Sequence, residues 1–162
     1  MQACVRVPDT KSLSGQSVEL SSGLKVLVFL NGECPVCRKY AGTFKPMLEE
    51  KIPILFVFPG NQDTTQIKHL MAYDSVPDSL IITDVNYDIS RYFEANVTPQ
   101  AILTINGKIK YSGKIDDRFE ALGSSKPKAS IDYIRNALNS LKNHETVEVP
   151  FTQAVGCLIE PR

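Results

Sequence analysis

Apolar residues along this chain fall into short unbroken runs, separated by polar segments that carry most of the glycines and prolines. Two runs, "KVLVFL" (25–30) and "IPILFVF" (52–58), show no polar alternation. A strand with one wet face alternates, so continuous β-branched and aromatic runs of this length predict strands buried on both faces. Between them the period changes: from Pro35, the residues Val36, Tyr40, Phe44 and Leu48 recur at fourfold spacing, which is helical. Pro35 suits the first helical position, where its missing N–H has no partner in any case. Gly42 and Pro46 predict that this helix bends or breaks in two. "TTQIKHLMAY" (64–73) and the stretch around "YDISRYFEAN" (87–96) read as helices on either side of a third strand, "DSLIITD" (78–84). "TPQAILTI" and "KIKYSGKI" are two more strands, joined by Asn106–Gly107, a strong hairpin signal. A helix follows over "ASIDYIRNALNSLKN" (129–143), with Tyr133, Ala137 and Leu141 on one packing stripe. Residues 1–15 read as an irregular arm, "SVEL" as one edge strand after it, and 146–162 as an extended tail.

The resulting order is arm, β, α, β, α, β, α, hairpin, α, tail. Strands alternating with helices predict an α/β fold with a mainly parallel sheet covered by helices on both faces, and the hairpin adds an antiparallel edge. Neither a repeat nor a linker divides the 162 residues, so they form one domain (1–162). Composition agrees: 43% apolar and 22% charged residues are ordinary for a globular protein. Lys plus Arg and Asp plus Glu both total 18, and this balance argues against nucleic acid as a partner. No apolar run approaches the roughly 20 residues that span a bilayer. The start, "MQACVRVPDT", lacks the basic and apolar regions of a signal peptide. Its Ala3–Cys4 resembles the end of a bacterial lipoprotein signal, which would make Cys4 a lipid anchor; otherwise Cys4 is an ordinary cysteine on a frayed terminus.

The candidate chemistry lies in "FLNGECPVCRKYAG" (29–42). Cys34 falls where the first buried strand meets the predicted helix. The free N–H groups and partial positive charge of a helix start favour a thiolate over a thiol. First cysteines of Cys-x-x-Cys pairs so placed titrate between about 3.5 and 7, against about 8.5 for a free cysteine. The thiolate is the nucleophile of disulfide exchange. Cys34 is therefore the attacking residue and Cys37, one turn on, the resolving one. Two other readings compete. A structural zinc site needs about four ligands, but Cys4, Cys157, His69 and His144 are scattered without pairing. Two inert core cysteines fit poorly at a strand-to-helix turn, which is expected to be exposed.

"KVLVFLNGECPVCRKY", followed some sixty residues later by "NVTPQAILTINGKIKYSGKID", resembles the thioredoxin-like superfamily. Within it the likeness is to the redoxin branch, with TlpA-like thiol-disulfide oxidoreductases and AhpC/TSA peroxidase relatives. The resemblance covers about residues 15–143. It implies a thioredoxin-like fold with a central mixed sheet, and a cis Thr98–Pro99 bond facing the cysteine pair. It also implies that the backbone before Pro99 pairs with a bound partner chain. The departures are specific. Glu33 replaces the tryptophan before the first cysteine, and there is no tryptophan anywhere. Val28 stands where the family's buried acid belongs, so water or another carboxylate must take that proton; Glu33 is a candidate, or simply an exposed turn residue. Asn31 stands where peroxidases of the branch carry threonine.

The resemblance implies a thiol-disulfide oxidoreductase, with Cys34 and Cys37 catalytic and Thr98, Pro99 and Pro35 positioning the partner. The cysteine pair is its own cofactor, with no metal or nucleotide implied. Partners would be protein thiols or disulfides and a membrane or soluble reductant, in an extracytoplasmic bacterial compartment (periplasmic or lipid-anchored) or, alternatively, in the cytoplasm. Two alternatives stay open: a thiol peroxidase with Cys34 peroxidatic, and a non-catalytic binding adaptor. Smaller signals remain. Asp116, Asp117 and Arg118 either line the site or cap a loop. Cys157, in an apolar tail ending "VGC" as in some redoxin-like proteins, is either a second resolving cysteine or a small buried residue pinning the tail.

Overall fold

The structure is a computed structural model that describes residues 6–160. Cys4, and with it the lipid-anchor reading, lies outside the described residues. In chain order the elements are β1 (Thr10–Lys11), β2 (Ser17–Val18), β3 (Leu24–Phe29), α1 (Pro35–Arg38), α2 (Lys45–Glu49), β4 (Ile54–Pro59), α3 (Thr64–Ala72), β5 (Ile81–Asp84), α4 (Asp88–Tyr92), β6 (Val97–Thr98), β7 (Gln100–Ile105), β8 (Lys108–Gly113), β9 (Phe119–Ala121), β10 (Ser124–Ser125), α5 (Tyr133–Lys142) and β11 (Cys157–Leu158).

Five strands form the central sheet in the order β5-β4-β3-β7-β8. β3 runs parallel to β4, and β4 to β5, while β7 lies antiparallel to both β3 and β8. The sheet is thus evenly mixed rather than mainly parallel. After α4 the chain enters β7 from the end opposite to the one a parallel crossover would use, and the Asn106–Gly107 turn, with both residues at positive φ, then folds β8 back against it.

The unbroken apolar runs of β3 and β4 are explained by two cores, one on each face. Val26, Val28, Phe56 and Phe58 pack on one side with Phe44, Ile67 and α5's Ile134 and Leu138. Leu27, Phe29, Leu55 and Val57 face the other side, against Ile89 and Phe93. Helices therefore cover both faces.

The helix expected from Pro35 onward is two short ones. Gly42, at φ 83°, turns the chain out of α1. Asp74, buried at the end of α3, then accepts hydrogen bonds from the backbone N–H groups of Gly42, Phe44 and Lys45 at 2.9, 2.7 and 2.8 Å. That carboxylate satisfies donors that a continuous helix would have used internally. The arm is less irregular than its sequence suggests: β1 pairs with β2, and Leu13 N–H donates to the Ile81 carbonyl at 2.8 Å, tying the arm to β5.

Candidate functional site

Cys34 is the residue immediately before α1, with extended backbone (φ −75°, ψ 121°) and Pro35 at the first helical position. The turn leading to it is fixed by its own side chains. Asn31 accepts a hydrogen bond from Glu33 N–H on its Oδ1 (2.8 Å) and one from Cys34 N–H on its carbonyl (3.1 Å). Gln62 accepts from Gly32 N–H at 3.0 Å and donates to the Leu30 carbonyl at 3.2 Å. Arg38 Nε reaches back to the Gly32 carbonyl at 3.1 Å. Glu33 is exposed, its carboxylate 3.4 Å from Gln66 Nε2.

The sequence places this turn at the surface, yet Cys34 and Cys37 are only 2% and 1% exposed. The tail covers Cys34, and Cys37 belongs to the core cluster with Val36, Tyr40 and Phe44. Cys34 is disulfide-bonded to Cys157, across a sequence separation of 123, while Cys37 remains free. The bonded partner of Cys34 is therefore not the neighbour two residues along the helix. Arg38 N–H donates to the Cys34 carbonyl at 3.1 Å, so Cys37 sits within the same first turn.

Burial pushes the Cys37 thiol up to about 11, against the Asn31 N–H and the Thr98 side chain, which favour its thiolate. The Asn31 N–H is 3.4 Å from its sulfur. At neutral pH Cys37 is a protonated thiol.

Facing the cysteines is the segment 97–100. The Thr98–Pro99 peptide bond is cis, both residues are buried, and the Thr98 carbonyl oxygen is 3.4 Å from Cys34 Sγ. The two-residue β6 does not join the central sheet; it pairs antiparallel with β11, setting Cys157 opposite Thr98 and Leu158 opposite Val97. Further back, Thr152 anchors the same tail: its Oγ1 accepts from Lys114 N–H at 2.8 Å and shares a 2.7 Å hydrogen bond with Tyr111 Oη, and its N–H donates to the Ser112 carbonyl. Gly113 (φ 150°) leaves room for it, since a Cβ there would overlap Thr152.

Asp116, Asp117 and Arg118 organise the loop beyond α1. Asp116 accepts from Tyr40 Oη (2.8 Å) and Arg118 Nε (2.9 Å), and the Arg118 guanidinium lies 4.0 Å over the Tyr40 ring. Asp117 accepts from Lys126 Nζ and from the Ile131 and Ser130 N–H groups, which hold its carboxyl down at about 2. These are loop-fixing contacts, and none of them reaches a cysteine.

Among the described residues there is no cluster of three or more metal-ligating side chains, and no helix is long and apolar enough to cross a membrane. Sequence reasoning missed Gly156 and Thr152, which seat the tail. The available signal was the apolar, glycine-containing "AVGCLI" around Cys157.

No family profile and no curated protein matches the chain. Solved structures do. An uncharacterized conserved protein from Geobacillus kaustophilus aligns over 98% of this chain and 91% of its own, with TM-score 0.66 and 20% identity. A secreted Mycobacterium tuberculosis disulfide oxidoreductase, homologous to E. coli DsbE, aligns over 84% of this chain and 96% of its own, with TM-score 0.57 and 14% identity. A thioredoxin-like protein from Aeropyrum pernix aligns over 85% and 89%, with TM-score 0.53 and 13% identity. The shared feature at these identities is the fold.

Proposed function

We propose that this chain, whose fold is thioredoxin-like, is a thiol-disulfide oxidoreductase that exchanges disulfides with protein partners through Cys34. The observation that carries the reading is a disulfide at a strand-to-helix turn, Cys34–Cys157, with a third cysteine held in the same helical turn.

In the oxidising direction, a partner thiolate attacks Cys34 Sγ. A bond forms between the partner sulfur and Cys34, and Cys157 leaves as a thiolate that takes up a proton. The partner's second thiolate then attacks the partner sulfur of this mixed disulfide. The partner departs as a disulfide, and Cys34 and Cys157 are left reduced by two electrons. In the reducing direction the Cys34 thiolate attacks a partner disulfide, and Cys37 attacks Cys34 to release the partner as a thiol. A dithiol donor, soluble or membrane-borne, then reduces the resulting Cys34–Cys37 bond. Pro35 fixes the turn that presents Cys34, Thr98 and Pro99 position the partner's backbone, and Glu33 exchanges protons at the exposed rim. The setting is extracytoplasmic and bacterial, where such disulfides persist.

The test is insulin-disulfide reduction with a dithiol donor. Cys34→Ser abolishes the activity, and the double variant Cys37→Ser/Cys157→Ser, which lacks both thiols able to displace the partner, accumulates a mixed disulfide on Cys34 that mass spectrometry detects. Full activity of Cys34→Ser would remove the reading and favour a binding adaptor.

The long-range pairing also favours a thiol peroxidase as a second reading. Cys34 thiolate would take one oxygen from a peroxide, releasing an alcohol or water, and Cys157 would condense with the sulfenic acid to expel water. Stoichiometric loss of the Cys34 and Cys157 thiols on adding one equivalent of peroxide to the reduced protein supports it; no loss at millimolar peroxide ends it.

A further inference from the structure

The tail meets the site as a peptide ligand would. Residues 157–158 add a strand to an edge that no other element uses, and Ile159 N–H donates to the Asn96 carbonyl at 2.8 Å. The tail residues differ in how closely they are held. Leu158 points outward and is 71% exposed, while Ile159 packs against the core on the far side of the sheet. Position 156 is the tightest of all. A Cβ there would fall on the Thr98 carbonyl oxygen and lie 3.0 Å from Pro99 Cδ, so backbone meets backbone and no flexible side chain can yield.

Building on the exchange reading above, we propose that the Val97–Thr98 edge reads its partners by sequence. Its ligand is an extended segment with glycine immediately before the reactive cysteine and an apolar residue two positions after it, and residues 156–159 are the chain's own copy of that ligand. Strand addition supplies affinity through the backbone and lets side-chain positions set selectivity. Here selectivity is largely exclusion: every residue but glycine at the position before the cysteine collides with the Thr98 carbonyl. The position directly after the cysteine, occupied by outward-pointing Leu158, is unselected. The internal copy occupies the edge while Cys34–Cys157 is intact, so a partner enters as that bond opens.

Two measurements on the full chain test this. In the first, Cys157→Ser protein, whose tail is no longer covalently held, reacts with the peptides Val-Gly-Cys-Leu-Ile and Val-Ala-Cys-Leu-Ile, each activated as a thionitrobenzoate disulfide. The glycine peptide is expected to form the Cys34 mixed disulfide at least about tenfold faster. In the second, Gly156→Ala protein equilibrates in a glutathione redox buffer, and its Cys34–Cys157 bond is expected to be at least about tenfold less populated than in the native chain. Equal rates for the two peptides, with normal reaction of Cys34 toward the small disulfide dithionitrobenzoate, would overturn the sequence-reading proposal and leave the exchange reading standing. A Cys34 that ignores dithionitrobenzoate even in the reduced Cys157→Ser protein would remove both.

Discussion

Cys37 is held as a thiol by its surroundings. Its ordinary titration range is shifted up to about 11 by burial in the core, more than the Asn31 N–H and Thr98 can offset. The folded protein keeps the Cys37 proton that an unfolded chain would release near 8.5, so alkylation of Cys37 in the oxidised protein should rise with a midpoint near 11. Iodoacetamide labelling against pH, read by peptide mass spectrometry, checks this; a midpoint near 8.5 would mean that burial does not govern the thiol. The labelling curve of the Cys157→Ser protein measures how much of that burial the tail contributes. The cysteine pair itself was legible in the sequence, from its place at the end of an apolar run and from Pro35. The bond that Cys34 makes was not, because nothing local in "LNGECPVC" points to a residue 123 positions away.

Elements were legible in proportion to their length. β3 and β4 declare themselves by continuous apolar runs, and the β7–β8 hairpin by Asn106–Gly107. The two-residue strands β6 and β11 are too short to carry a period, and each exists because a distant segment supplies its partner, whereas β1 and β2 pair with each other across a short turn. The fourfold spacing from Val36 to Leu48 is real as a packing stripe, since Val36, Tyr40, Phe44 and partly buried Leu48 all join one core. It does not require one helix, because Gly42 and the Asp74 carboxylate together replace the missing turn. Asp74 holds three backbone donors from 30 residues away, a role no local pattern encodes. Replacing it by alanine strands those donors in a buried place. Asp74→Ala should lower the unfolding free energy by about 3 kcal/mol, taking roughly 1 kcal/mol for each lost partner. Urea denaturation measures it, and a loss below about 1 kcal/mol would show that water fills the gap.

The molecule as a whole is closed by one bond between its early and late segments. A cross-link spanning 123 residues restricts the unfolded chain more than a local one, by about 4–5 kcal/mol in the loop-entropy account. Cys157→Ser should therefore be less stable than the oxidised native chain by about 4 kcal/mol, and equal in stability to the fully reduced native chain. Denaturant midpoints of the three forms test both statements together; a Cys157→Ser form as stable as the oxidised one would show that the tail is seated without help from sulfur. The same span has a consequence for biogenesis. At 5–20 residues per second, roughly 6–25 s separate the synthesis of Cys34 from that of its tail partner. Throughout that interval the nascent chain presents an uncovered thiol, and among the described residues only Cys37 is available to cap it. The bond that closes the molecule can therefore form only once the chain has been made out to residue 157.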